Sequence, residues 1–113
     1  MVDRVQKINQ NIKKELSEII QREQDFSNKA IVTLTRVETS ANLIQTKVWI
    51  SVIPDKYQDE VMNNLKKKIY DMQQEINKRL RMRPVPKIKF LTEEETRRAA
   101  RVEDLLRDIK KSN

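Results

Sequence analysis

The residue pattern predicts an α+β domain, in the order α-β-β-α-β-α, with helices packed on one face of a three-stranded sheet. Three observations predict it. Apolar residues recur at steps of three or four over three long stretches, as they do on amphipathic helices. Two runs rich in Ile, Val and Thr, joined by a short polar turn, read as an antiparallel hairpin. A third short run alternates apolar and basic residues after a Pro-containing break. Helices on one side of such a sheet would bury all the apolar stripes. The 113 residues make one domain, 1–113, with a core over about 3–91 and a C-terminal helix over about 93–111.

The first helix spans residues 3–22, with Asp3 as N-cap and Val5, Ile8, Ile12, Leu16, Ile19 and Ile20 as its stripe. Its cations are interspersed with Glu15 and Glu18 and read as a solvated face. Residues 24–29 form a polar loop. The first strand covers 30–38, the turn 39–42 and the second strand 43–53, with Ile44, Val48, Ile50 and Val52 on one face. Trp49 falls on the other face, where it could stack on a base or lie under a neighbouring helix. Pro54 stops the strand and Asp55 caps a long second helix with Val61, Leu65, Ile69, Met72, Ile76 and Leu80 as its stripe. The third strand is 87–91, with Ile88 and Phe90 inward. Thr92 and Glu95 form a capping box for the last helix, whose stripe is Ala99, Val102, Leu105, Leu106 and Ile109.

Charge is distributed unevenly. Residues 61–91 hold nine basic and two acidic residues, a net +7 equal to that of the whole chain. The rest is balanced, so the excess speaks of a polyanionic partner and not of the fold. Four of those cations crowd one helix end. One or two would satisfy the helix dipole. The chain has no His, Cys or Gly. Imidazole bases, thiol nucleophiles and Gly-rich phosphate loops are thereby excluded, and an enzyme, a metal or a cofactor is not expected. No apolar run is long enough to span a membrane. With no signal-peptide pattern, the cytoplasm is the expected compartment. One core consumes the stripes and surplus positive charge repels a second copy, so a monomer is expected.

The hairpin VTLTRVETSANLIQTKVWISV, the junction RLRMRPVPKIKF, the opening RVQKINQNIKKELSEIIQRE and the closing TEEETRRAARVEDLLRDI together resemble the ribosome-binding factor A family over nearly the whole chain. Arg81, Arg83, Pro86 and Phe90 match the family's junction motif, and Lys78 matches a basic position just before it. The resemblance implies a type II KH-like fold that binds the immature 30S subunit and 16S rRNA. It also implies late maturation and rRNA processing, growth in the cold, and other assembly factors, a GTPase among them. Lys68, Ile69 and Tyr70 stand where the family has an Ala-x-Gly helix kink. With neither Gly nor Pro between Asp55 and Arg83, the long helix is expected to be less kinked than the family's, without a sharp break at 68–70.

The expected RNA-binding surface is Lys78, Arg79, Arg81, Arg83, Lys87 and Lys89, with Lys66, Lys67, Arg4 and Lys47 as further contacts. If that helix end is only a solvated terminus, the site moves to Arg4, Lys7 and the hairpin around Lys47. Two other readings stay open: a generic KH-like single-stranded RNA binder, and a protein-interaction or membrane-surface module using the basic helix. Few aromatics are free for stacking, so backbone charge should dominate base readout.

Overall fold

The structure is a computed structural model that describes residues 3–22 and 29–111. Helix α1 (Arg4–Arg22) leads into strands β1 (Ile31–Thr39) and β2 (Gln45–Ile53). A single 3-10 turn (Asp55–Tyr57) precedes α2 (Gln58–Lys67), then come α3 (Ile69–Arg79), β3 (Lys87–Leu91) and α4 (Glu93–Lys111). The sheet order is β1-β2-β3, with β1 antiparallel and β3 parallel to the central β2. All of the polar loop expected over 24–29, Lys29 excepted, lies outside the described residues.

The core lies between one face of the sheet and α1, α2 and α3. Ile12, Leu16, Leu65, Ile76 and Val48 are fully buried there with Ile88 and Phe90. Truncating any one of the large aliphatics to Ala costs about 2–5 kcal/mol. A bulge at Thr35 shifts the β1–β2 register, so Leu34 and Val37 both reach the core while Arg36 stays opposite Trp49. At the other end Thr39 and Thr46 are buried and share a hydrogen bond of 2.8 Å. The Asn9 side-chain oxygen accepts from the Thr39 amide (3.0 Å) and hydroxyl (2.6 Å), which ties α1 to the hairpin and meets the polar groups buried there.

Several expectations need correction. Ile44 is not in β2 and is 63% exposed; Thr46 takes its place on the core face. The hairpin connection runs from Ser40 to Ile44 and includes Leu43 at φ 61°. That left-handed conformation costs a non-Gly residue about 1–2 kcal/mol. Asp55 does not cap the second helix, because the 3-10 turn intervenes and Tyr57 is the N-cap.

The long helix is not continuous: it divides at Lys68 (φ −92°, ψ 1°). Such negative-φ backbone is open to any residue, so the break needs neither Gly nor Pro. Hydrogen bonds from Lys68 N–H to Asn64 O (3.1 Å) and from Met72 N–H to Lys68 O (3.0 Å) persist across it. Both halves pack on β3, but α2 also packs on β2 and α3 on α1.

Helix α4 departs furthest from expectation. Its capping box forms, with Glu95 N–H donating to Thr92 Oγ1 at 3.1 Å. Its stripe, however, is not buried: Val102, Leu105, Leu106 and Ile109 are all exposed. Its first turns dock over Trp49, on the face of the sheet opposite the core. Trp49 alternates with the core residues Val48 and Ile50. It is 3% exposed and donates its indole N–H to Thr96 Oγ1 at 2.8 Å. Three helices therefore share one face, and the fourth begins on the other.

Candidate nucleic-acid interface

Helix α3 ends because Leu80 turns to extended backbone (φ −90°, ψ 142°) and buries its side chain. Pro84 and Pro86 prevent any continuation. The loop from 80 to 86 is then fixed by polar contacts. Arg83 Nη1 donates to Leu80 O (2.9 Å) and Met82 O (2.6 Å). Gln73 donates to Pro86 O (3.1 Å) and accepts from Ile88 N–H (2.9 Å). Lys87 N–H donates to Ile44 O at 2.9 Å. Together these bonds bring the loop beside the hairpin connection and the first turn of α1.

Two adjoining cavities open there. The first, about 270 Å³, is walled by Arg4, Lys7 and Arg81 above Ile8, Leu80 and Met82. The second, about 380 Å³, is walled by Arg4, Arg83 and Lys87 above Leu43, Met82 and Val85. Arg4 and Met82 line both, and among the described residues no carboxylate lines either. None of these five cations is ion-paired among the described residues. Uncompensated cations around a concave wall focus field on whatever anion enters.

The other expected contacts divide. Lys87 and Lys89 lie on the edge strand β3, exposed on the sheet face away from the core, and Lys89 stands in register with Lys47 of β2. These three continue the basic surface outward from the groove. Lys78 is exposed on the last turn of α3 and lines neither cavity. Lys66 and Lys67 end α2, nearer the opposite end of β3; Lys66 approaches Glu95 at 3.9 Å, and Lys67 is exposed.

Arg79 has a different situation. Its guanidinium binds Glu15 (2.9 Å), Glu18 (3.2 Å) and Glu75 (2.9 Å), clasping α3 to α1. The hydrogen bond to Glu15 leads the causes that hold its pKa above the ordinary arginine value. Glu75 is held below the usual carboxylate value, first by a hydrogen bond from Arg22 (2.6 Å) and then by Arg79. A phosphate could reach Arg79 only by displacing carboxylates. Trp49 is likewise closed to base stacking. Besides Thr96 it carries the Arg36 guanidinium 3.6 Å from its ring centroid, and Arg36 in turn holds Glu93 at 2.7 Å.

The apolar floor is the part that sequence reasoning did not assign, and Lys7 was expected only with Arg4 in the alternative site, not on the main surface. The available signal for Lys7 was its position three residues after Arg4 in the first turn of α1, which puts both on one side of the helix.

The family model described as ribosome-binding factor A matches residues 4–106. Ribosome-binding factor A of Natranaerobius thermophilus is 32% identical over 107 residues, covering 94% of this chain and 82% of that protein. The crystal structure of ribosome-binding factor A from Thermus thermophilus superimposes with a TM-score of 0.66 at 19% identity, covering 78% of this chain and 94% of that one. A homology model of the Thermus thermophilus factor, fitted into a cryo-EM map of its complex with the 30S subunit, gives a TM-score of 0.62 at 21% identity, covering 74% of this chain and 88% of that one. At these identities the two structures speak for the shared fold.

Proposed function

The chain belongs to the ribosome-binding factor A family, and on that premise we propose that it binds the immature 30S subunit through 16S rRNA and assists its late maturation. It acts as a binding factor without catalysis, as a cytoplasmic monomer that supports growth in the cold and works beside other assembly factors, a GTPase included. The observation that carries the reading is the meeting of cations from separated segments, Arg4 and Lys7, Arg81 and Arg83, and Lys87, on one groove that no carboxylate lines among the described residues. Such a surface suits a phosphate backbone, whose binding is dominated by cation contacts and counterion release. Lys47 and Lys89 extend it across the sheet, with Lys78, Lys66 and Lys67 as outlying contacts, and Arg79 positions α3 more than it contacts RNA. That a relative has been fitted into a map of a 30S complex supports the choice of partner.

The test is sedimentation of lysate from cells depleted of the protein and from cells re-supplied with it. The protein should travel with immature small subunits, and depletion should leave 16S precursor unprocessed, most visibly in the cold. A protein that stays at the top of the gradient while precursor levels are normal would refute the proposal.

A further inference from the structure

We infer that the groove takes unpaired RNA, with one base entering each cavity and the phosphate between them on Arg4, and does not take the backbone of an intact duplex. This rests on the reading that the protein binds small-subunit rRNA. An A-form duplex presents phosphates and 2′-hydroxyls on a broad surface and keeps its bases stacked, so exposed cations on a convex wall suffice for it. Here the cations stand around depressions floored by Ile8, Leu80 and Met82 in one case and by Leu43 and Val85 in the other. An apolar floor contributes nothing to phosphate binding but does shelter a base. The volumes, about 270 and 380 Å³, come near the lower end of small-ligand sites, roughly 300 Å³ and up.

Among the described residues neither lining contains an aromatic ring, and Trp49 is closed off. Stacking then falls to planar guanidinium groups, Arg81 in the first cavity and Arg83 in the second. The plane of Arg83 is fixed by its bonds to Leu80 O and Met82 O. Each cavity also holds one amide suited to a base edge. Asn11, in the first lining, makes no side-chain hydrogen bond among the described residues. Asn42 uses its oxygen for Ser40 and Ile44, which leaves its NH₂ to donate. Arg4 lines both cavities, so a phosphate bound there joins two successive nucleotides.

Fluorescence anisotropy with three probes decides the matter: a short single-stranded RNA, a strand of equal length made of abasic residues, and a blunt RNA duplex. The wild type should bind the base-bearing strand about fivefold or more tighter than the abasic strand, the low end of what one stacked base contributes. It should prefer the single strand to the duplex as well. Met82→Ala and Asn11→Ala should each shrink the preference over the abasic strand and leave the salt dependence unchanged. Asn11 is exposed, so that variant carries no folding risk. Equal binding of duplex and single strand, or full preference retained in both variants, overturns the inference and leaves the ribosomal reading standing. A wild type that binds no probe and does not sediment with small subunits removes both.

Discussion

Replacing Arg4, Lys7, Arg81 and Lys87 together by Gln removes four cations that wall the groove and have no carboxylate partner among the described residues. All four side chains are exposed, so the core is untouched. Each phosphate contact adds roughly 0.7–0.9 to the slope of log affinity against log salt. Four contacts therefore flatten the slope by about 3 to 3.5 when they are lost. Over a rise from roughly 50 to 200 mM salt, the wild type should lose about 50- to 150-fold more affinity for small subunits than the variant does. Net charge also falls from +7 to +3, so a control of equal charge is needed. Lys13, Lys56, Arg97 and Arg101, also exposed but lining neither cavity of the groove, serve when changed to Gln together. The assay is binding of labelled protein to purified immature small subunits at several salt concentrations. Equal slopes for the groove variant and the control variant would refute the assignment of phosphate contacts to this groove.

Three other outcomes are expected. Arg79→Gln should lower the urea midpoint of unfolding, because Glu15, Glu18 and Glu75 lose a shared partner, while leaving the salt slope alone; Arg81→Gln should do the reverse. Trp49→Phe removes the hydrogen bond to Thr96 and should destabilise by about 1–2 kcal/mol, with faster hydrogen exchange at the start of α4. Glu75 and Glu93 are held below the ordinary glutamate value of 4.5, each chiefly by a hydrogen bond from an arginine, Arg22 and Arg36 respectively. Their contribution is present above about pH 4.5 and is lost as pH falls through the lower folded-state value. Thermal unfolding measured from neutral pH downward should show that loss, and Glu75→Gln should flatten it.

Much of the fold was legible because it is written in period. The stripes of α1 and α2–α3, the alternation of β3 and the Thr92 capping box required only neighbouring residues to be read. What escaped reading depends on tertiary placement. An amphipathic face on α4 says which residues share a side, not that anything covers them, and Val102 to Ile109 prove exposed. The break at Lys68 carries no punctuating residue because its backbone angles ask for none. Of the three partners of Arg79, only Glu75 lies at helical spacing; Glu15 and Glu18 come from α1. The groove is assembled from three segments, so the expected surface included its cations from the 80–87 stretch but not Lys7 or the floor.

The parallel seat of β3 has a consequence for how the chain reaches its working form. The hairpin of β1 and β2 is local and can zip early, whereas a parallel partner must wait for the whole α2–α3 crossover to emerge and collapse. Only then do Ile88 and Phe90 close the core, and only then does the Lys87 amide reach Ile44 and set the 80–86 loop against the hairpin. The groove is therefore complete only once β3 is seated beside β2. A chain in which β3 is not seated has no finished groove at all.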